Sequence, residues 1–464
     1  MGKKMRGNQD MTKGSIMKNL IQFSLPLIAS SFLQIFYNAA DIVVVGRFAG
    51  TQAQAAVGSS SSLVSLFTML FIGISIGSNV VIAQFHGARE HDKVSRAIHT
   101  SIALALASGV IVMAVGLLTS RVMLQWMGSP EDVIDLANLY VMIVFLGAPV
   151  SMLYNFGASV LRALGDSRRP LIYLAVSGAV NVVLNLLLVI VFRMSVAGVG
   201  IATVVSQALS AALVLIHLMR SQGSMHLDIR KLKLEKEFVK PIIRIGLPSG
   251  IQSSMFAISN TIIQSAVNAQ GSIVMAGNSA AANLESFVHL AMSAFATSML
   301  TFSSTNRGAK CYDRVRKGPW VAMGIVTVLG ISTGIVALLF GRPLLSLYNS
   351  DPQVIDWGMV RMGIMLIPYF LCGLMEIASA QLRGLRYAIA PMVSSITGVC
   401  GMRIVWIYTV FAANPTMQTL YISYPISWTI VFIAHMTCYF LFALPGIKRE
   451  EKEWLAAQGE AAEG

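Results

Sequence analysis

The sequence predicts an all-α membrane protein of about twelve transmembrane helices, arranged as two parallel six-helix repeats around a central cleft. Three observations predict this fold class. The composition is too apolar for water, long apolar stretches cover most of the chain, and short motifs recur at a nearly constant separation.

Composition excludes a water-soluble fold. Hydrophobic residues make up 55% of the chain and charged residues only 12%, with a mean hydropathy of +0.69. Soluble domains carry roughly 25% charged residues, so lipid must be the solvent of this chain. The net charge of +13 comes from 34 Lys and Arg against 21 Asp and Glu. These basic residues cluster in short loops between apolar runs, which indicates membrane topology and not nucleic-acid binding.

Twelve apolar stretches are long enough to cross a bilayer, since a helix needs about 20 apolar residues to do so. The first follows a basic, polar segment and lacks a cleavage pattern, so we expect a retained helix and not a signal peptide. The stretches leave no room for a soluble catalytic domain. They cover residues 18–46, 58–85, 95–118, 133–156, 169–192, 196–218, 239–268, 278–304, 318–340, 354–380, 389–412 and 418–444.

The distribution of basic residues predicts the orientation of these spans. With the N-terminus in the cytoplasm, most of the 34 Lys and Arg fall in inner loops or terminal segments. Such a bias marks the cytoplasmic side, so we expect a multi-pass membrane protein with both termini cytoplasmic. The exceptions are Arg361 and Arg403 inside spans and Arg47, Arg121, Arg193 and Arg342 in outer loops.

Recurring motifs predict an internal duplication. HGAREHDKV at 86–94 matches RGAKCYDRV at 307–315, and LRALGDSRRP at 161–170 matches LRGLRYAIAP at 382–391, both at a separation of 221 residues. Six spans per repeat is an even number, so the repeats run parallel and are related by an axis along the membrane normal. We expect an N-terminal lobe over 1–218, an inter-lobe linker over 219–240, a C-terminal lobe over 241–445 and a cytoplasmic tail over 446–464.

The first span reads SLPLIASSFLQIFYNAADIVVVGRFAG, and AAVG follows it. Together with the loops LRALGDSRRP and LRGLRYAIAP, these residues resemble the multidrug and toxic compound extrusion (MATE) family, in particular its DinF-like branch. The resemblance extends from about residue 15 to 445. It implies twelve helices in two lobes, a central cavity, and export of organic cations against inward flow of Na⁺ or H⁺.

Asp41 is the strongest candidate for ion coupling, because a carboxylate inside a span is costly and is retained mainly for function. Tyr37 and Asn38 precede it by four and three residues and share its helical face. The alternative is that Asp41 lies at the membrane edge, where water and Arg47 neutralise it.

Depth along the spans predicts the partners of Asp41. At about 1.5 Å per residue, Asn185 of the fifth span and Thr203 of the sixth reach a similar depth, and Asn181 shares the face of Asn185. Carboxylate, amide and hydroxyl oxygens suit a small hard cation such as Na⁺, and a desolvated carboxylate is also a proton site. The resemblance implies an ion-responsive or proton-responsive cluster at these positions. Asn185 stands where the DinF-like branch implies a second acid, which weakens a two-carboxylate relay.

The second lobe carries four charged candidates. Glu285 and Arg361 lie about two turns deep from the outer side, so we expect an ion pair that serves substrate or ion binding, or that joins two helices. Glu376 lies near the inner end of the tenth span and Arg403 in the middle of the eleventh. Their depths differ by roughly 10 Å, so either long side chains bridge the gap or water hydrates both. For Arg403, a structural or gating role stands beside substrate contact.

Pro26 and Pro248 occupy equivalent places in the first span of each repeat. A proline inside a helix removes one backbone hydrogen bond and permits a bend. Pro26 is therefore a candidate hinge that couples Asp41 to the shape of the cavity, although transmembrane helices also tolerate proline as a fixed kink.

Motifs of ATP-driven and catalytic proteins are absent from the sequence, which contains neither GxxxxGK[ST] nor HExxH. The four cysteines lack the spacing of a zinc site or a disulfide framework. We therefore expect a monomeric secondary transporter that is not an enzyme and uses no cofactor besides Na⁺ or H⁺ as coupling ion.

Two other functions compete with cation-coupled drug export. A flippase for lipid-linked precursors shares the two-lobe plan, but such proteins tend to have a strongly cationic cavity, whereas here three intramembrane acids stand against two arginines. A membrane-embedded enzyme would need clustered acid–base or metal-binding residues at one depth, and the sequence does not indicate such a cluster.

Overall fold

A computed structural model describes residues 9–127 and 131–463, and every regular element within them is helical. Residues 1–8, 128–130 and 464, which belong to the predicted N-terminal lobe and tail, lie outside the described residues. Lipid offers no hydrogen bonds, so an apolar segment must satisfy its own backbone groups as a helix. The first seven helices are α1 (Ile16–Phe48), α2 (Thr51–Gly87), α3 (His91–Trp126), α4 (Glu131–Leu146), α5 (Ala148–Ala163), α6 (Arg168–Asn185) and α7 (Ser195–Arg220).

Ten helices follow a connection that contains two short 3₁₀ turns, Gly223–Met225 and Ile229–Lys231. They are α8 (Lys236–Asn268), α9 (Ser272–Gly308), α10 (Tyr312–Leu339), α11 (Gly341–Ser346), α12 (Pro352–Met365), α13 (Tyr369–Gly384), α14 (Ile389–Ser395), α15 (Met402–Trp406), α16 (Met417–Cys438) and α17 (Leu444–Glu463). Segments of π-helix continue α6, α14, α15 and α16 at Leu186–Val191, Ile396–Gly401, Ile407–Phe411 and Tyr439–Ala443.

The helices supply the predicted twelve membrane spans. Over the described residues, nine are long and apolar enough to cross a bilayer, and the bent pairs α4–α5 and α12–α13 supply two more. The remaining predicted span corresponds to α8, which is not among these eleven but has 33 residues and extends about 50 Å, long enough to cross a bilayer. Large apolar side chains such as Leu118 and Leu339 are 83% and 75% exposed, a surface that suits lipid and not water. The predicted membrane fold is therefore confirmed.

The two repeats bend and turn at equivalent places. The helix pairs α4–α5 and α12–α13 are both bent by 49°. After α2 and α9, Arg89 and Lys310 adopt left-handed φ angles of 61° and 58°. After α5 and α13, Gly165 and Arg386 do the same, at 87° and 67°. Both pairs are separated by the same 221 residues as the sequence motifs, so the duplication extends to the backbone of the turns.

The chain divides into two compact units. Unit 1 contains Gln9 and Pro26–Gly250, and unit 2 contains Asp10–Leu25 and the chain from Ile251 onward. The chain therefore passes from one unit to the other inside α1 and inside α8, whereas the sequence placed the boundary in the linker 219–240. Hydrogen bonds account for the position of the first residues in unit 2, because Ser298 donates to the carbonyl of Leu20 and Asn306 to that of Met11.

The predicted tail forms the helix α17, which packs on unit 2. Arg307 pairs with Glu450, and Arg316 pairs with Glu451. The ring of Trp454 lies 6.3 Å from that of Tyr312, beside an apolar cluster. That cluster contains Tyr312, Val315, Leu382, Leu385, Tyr439, Ala443 and Ile447.

Candidate functional site

Asp41 lies in the second half of α1 and meets α6. The amide of Asn185 donates a hydrogen bond to its carboxylate, and the same amide lies 3.3 Å from the Oδ1 atom of Asn181. Asn181 and Asn185 are both buried. One helical turn separates them, so both amides face α1 from the same side of α6. The structure therefore brings together the carboxylate and the two amides that the sequence selected.

Tyr37 positions α1 against α6. Its hydroxyl donates to the carbonyl oxygen of Ala175 at 3.1 Å, and its ring lies over Gly178. A Cβ atom at Gly178 would come within 1.8 Å of that ring, so only glycine leaves room for it. The sequence proposed Tyr37 as a member of the coupling cluster. Its hydroxyl is bonded to the backbone of α6, which makes it a positioning residue for Asp41, one turn away.

Tyr140 is a neighbour of Asp41 that sequence reasoning missed. It lies on α4, and its phenol interacts electrostatically with the Asp41 carboxylate. Its sequence context offers only a lone polar aromatic residue inside an apolar span, without a spacing that relates it to α1. Only the packing of α4 in unit 1 identifies it.

Two buried oxygen atoms of the predicted cluster make no hydrogen bond. They are the Oδ1 atom of Asn185 and the hydroxyl of Thr203 on α7, a helix that packs against α6. A buried acceptor without a donor is costly, and a cation or a protonated group would satisfy it. Within the described residues no hydrogen bond joins Thr203 to Asp41.

Two residues near Asp41 do not take part in its contacts. Asn38 is exposed, although it shares the helical face of Asp41. Arg47 is also exposed, and over the described chain it forms no salt bridge with Asp41. The alternative in which Arg47 neutralises Asp41 therefore has no contact to support it.

The second predicted acid, Glu285, is held in a closed ion pair. Arg361 donates from Nε and Nη2 to the two carboxylate oxygens of Glu285, at 2.8 and 2.7 Å. Its Nη1 atom donates to Asn278 at 2.6 Å, and the hydroxyl of Tyr421 donates to the same Asn278 oxygen at 3.1 Å. All four side chains are buried. This network joins α9, α12 and α16, and it occupies both oxygens of the carboxylate.

Sequence analysis considered Arg403 and Glu376 as partners, but the two residues contact different side chains. Arg403 donates to Ser427 at 3.1 Å and to Asn260 at 3.2 Å, and its guanidinium lies 4.0 Å from the ring centre of Tyr424. Glu376 instead approaches His289, with 3.7 Å between Oε1 and Nδ1. Glu376 and Arg403 therefore do not bridge their difference in depth, because each has its own partner on another helix.

Pro26, the candidate hinge, lies inside a helix that continues from Ile16 to Phe48. The chain changes units at this residue, and the carbonyl of Pro26 accepts a hydrogen bond from the Ser30 hydroxyl at 2.8 Å. Pro248 lies in α8, two residues before Gly250, where the chain changes units again. The hinge role stays a prediction.

Comparison with known proteins identifies the family. The model of the MatE family matches residues 26–187 and 248–409, once in each repeat. The chain is 27% identical to the "Probable multidrug resistance protein YoeA" of Bacillus subtilis, over 85% of this chain and 87% of that protein. It is 23% identical to the "FAD transporter" of Shewanella oneidensis, over 94% and 96%. A solved outward-facing structure of a multidrug resistance MATE family transporter superposes with a TM-score of 0.87, at 20% identity, over 97% of this chain and 100% of that one.

Proposed function

Since the chain belongs to the MatE family of multidrug transporters, we propose that it exports amphipathic organic cations by antiport with Na⁺ or H⁺. Membership makes it a multi-pass membrane transporter of a drug-efflux family. Antiport and the identity of the coupling ion are our proposal. Asp41 is the residue to which we assign the coupling ion.

The observation that carries this assignment is the environment of Asp41. Its carboxylate receives a hydrogen bond from the Asn185 amide and meets no basic side chain in the described part of unit 1. Asn185 Oδ1 and the Thr203 hydroxyl add buried oxygen atoms without donors. A carboxylate beside neutral oxygens suits a bare Na⁺ or a proton, because either one supplies the missing positive charge. Asp41, Asn181, Asn185 and Thr203 would hold Na⁺.

Ion binding is coupled to the helix contact because the ion and the Asn185 amide compete for the Asp41 carboxylate. An ion on Asp41 neutralises the carboxylate and replaces part of its bond to Asn185, so the contact between α1 and α6 changes with ion occupancy. Tyr37 transmits that change along α1, since it is fixed to α6 by Ala175 and Gly178. Bending at Pro26 would then alter the binding region for the substrate, in an alternating-access cycle. The protein needs no second copy for this cycle.

The proposed substrates are small organic cations, in keeping with the multidrug relatives. One relative is described as an FAD transporter, so we propose a class of substrate and not a single compound. We further propose that both termini lie on the cytoplasmic side of the bacterial inner membrane, because few basic residues fall in the outer loops.

The test is efflux of ethidium from proteoliposomes that contain the purified chain, with a Na⁺ gradient or a pH gradient imposed separately. We expect one of the two gradients to drive movement, and Asp41→Asn to reduce driven movement to the level of empty liposomes. Asp135→Asn is the matched control, since Asp135 is an exposed carboxylate of unit 1 paired with Arg121. It should transport like the unmodified protein.

Three outcomes would count against the proposal. Full transport by Asp41→Asn would remove the coupling site from Asp41. Movement of ethidium that ignores both gradients would contradict antiport. Absence of movement in folded protein, together with rescue of a flippase-deficient strain, would favour the lipid-linked precursor alternative.

A further inference from the structure

Three side chains of unit 2 converge on one point between α9 and α13, although their positions along the chain do not have the spacing of a ligand motif. They are His289 on α9 and Cys372 and Glu376 on α13. One nitrogen, one sulfur and one carboxylate oxygen all lie within 4.8 Å of one another. Cys372 and Glu376 are four residues apart, so they occupy one face of α13 and point toward the same neighbour.

The donor set has a specific chemistry. Imidazole, thiolate and carboxylate together are ligands of Zn²⁺ and of similar thiophilic divalent ions, whereas Na⁺, Mg²⁺ and Ca²⁺ prefer oxygen alone. Ligand bonds of about 2.0–2.3 Å in a tetrahedral site place the ligand atoms roughly 3.5 Å apart. The 3.7 Å between His289 Nδ1 and Glu376 Oε1 is close to that spacing, so small side-chain rotations complete the site.

Within the described part of the chain, no hydrogen bond or ion pair from outside the cluster holds the ligand atoms. The Cys372 thiol is buried, and Glu376 forms its ion pair with His289, a member of the same cluster. His289 is 43% exposed and Glu376 20%, which leaves an approach from the side of the imidazole. A carboxylate at this depth faces protein or water and not lipid, so the approach is polar.

The charges around these three side chains also allow a metal ion to bind there. Arg383 interacts electrostatically with Glu376, and Arg403 with Cys372, so positive groups lie nearby. A divalent ion bound by a thiolate and a carboxylate carries no net charge with its ligands. On binding, the ligand set changes from one negative charge, the Glu376 carboxylate, to neutral, so the ion weakens the attraction between Glu376 and Arg383 without creating a net repulsion.

We propose that His289, Cys372 and Glu376 form a binding site for a zinc-class divalent cation, with three protein ligands and a fourth position open to water or a small ligand. The thiol proton leaves to solvent when the ion binds, because the thiolate is the ligand. The bound ion joins α9 to α13. This site is separate from Asp41 and does not depend on the transport function.

The test is titration of the full-length, tag-free protein with Co²⁺, which reports a thiolate in a tetrahedral site through a sulfur-to-metal absorption band. We expect about one equivalent per chain, displaced by Zn²⁺. His289→Asn, Cys372→Ser and Glu376→Gln should each weaken binding at least tenfold, since even residues behind the ligands alter affinity 10–100-fold. Cys400→Ser is the matched control, a buried cysteine of the same unit that should leave the band unchanged.

A second measurement on the unmodified protein guards against variants that fail to fold. Zn²⁺ should protect Cys372 from alkylation by a small maleimide, detected by mass spectrometry, while Mg²⁺ should not. A full absorption band in Cys372→Ser would overturn the site. Alkylation of Cys372 at the same rate with and without saturating Zn²⁺ would also overturn it.

Discussion

The two units hold their membrane carboxylates in opposite ways. In unit 2, Glu285 has both oxygens bonded by Arg361. In unit 1, Asp41 receives an amide from Asn185 and meets no basic residue in the part of the chain described. The positions are not equivalent in the repeat, because 221 residues separate Asp41 from Ile262 and Val64 from Glu285. The two repeats therefore share equivalent backbone turns but do not carry their buried carboxylates at equivalent positions.

The difference between the two acids has a physical consequence. A buried ion pair whose donors are all bonded rearranges only at a high cost in free energy, because removal of one charge leaves the other buried without a partner. A carboxylate that accepts a neutral amide can exchange that bond for a proton or a cation. We therefore expect mutations in the Glu285 network to reduce stability, and mutations around Asp41 to reduce coupling.

Breaking the Glu285–Arg361 pair has the largest expected effect on stability. Glu285→Gln leaves a buried guanidinium without its counter-charge, which costs about 3–5 kcal/mol. The measurement is the melting temperature of the solubilised protein. The double variant Glu285→Gln/Arg361→Met should recover much of the loss, and Asp356→Asn, in an exposed pair with Arg342, should stay close to the unmodified protein. Near-normal stability of Glu285→Gln would remove the contrast between the units.

Gly178→Ala is expected to have an intermediate effect that tests the positioning of Asp41. The new Cβ atom would overlap the Tyr37 ring, and overpacking of this kind costs about 1–3 kcal/mol. Because the Tyr37 ring must move, we expect the rate of coupled transport to fall by a larger fraction than the free energy of unfolding. Gly324→Ala is the control, since nothing lies within 4 Å of a Cβ atom there. Equal transport by both variants would contradict the role of Tyr37.

The left-handed turns of the two repeats differ in strain, which predicts a smaller effect. Gly165→Ala places a side chain at a φ of 87° and 2.5 Å from the Gln9 carbonyl oxygen, so we expect a loss of about 1–2 kcal/mol. At the equivalent turn, Arg386 already adopts a φ of 67°, and Arg386→Gly should be neutral or slightly stabilising. Thermal unfolding of both variants checks this, and a loss in Arg386→Gly as large as in Gly165→Ala would contradict it.

The smallest expected effect comes from a surface ion pair of unit 1. The hydrogen bond from Arg96 lowers the pKa of Glu235 below its ordinary value. A lowered folded pKa contributes stability above the unfolded pKa and loses it as pH falls through the folded value. Arg96 is 40% exposed, so solvent screens the pair and its contribution to stability is small.

Melting temperatures of Glu235→Gln and the unmodified protein at pH 7 and at pH 3 measure this contribution. The two proteins should differ slightly at pH 7 and converge at pH 3. Glu453→Gln, in an exposed pair of unit 2, is the control. A difference that grows at pH 3 would contradict the assignment.

Sequence patterns were sufficient for the membrane fold and for part of the site. Apolar length predicted the spans, and Asp41, Asn181 and Asn185 were selected by charge cost and helical spacing. Tyr140 could not be selected, because a tyrosine in an apolar span carries no sign of its neighbour on another helix. Gly178 was missed for a related reason, since its role is the space that it leaves for Tyr37.

The sequence by itself determined that the chain is a helical membrane protein built from two repeats, because hydrophobic length and repeated turns act locally along the chain. Tertiary structure alone decided several of the other polar contacts. It separated Arg403 from Glu376 and brought His289 to Cys372 and Glu376, whereas the Glu285–Arg361 pair was already expected from the depths of the two residues. The reason is that a polar side chain in a span must find its partner across helices, and the rotation of each helix is fixed by packing and not by its own sequence.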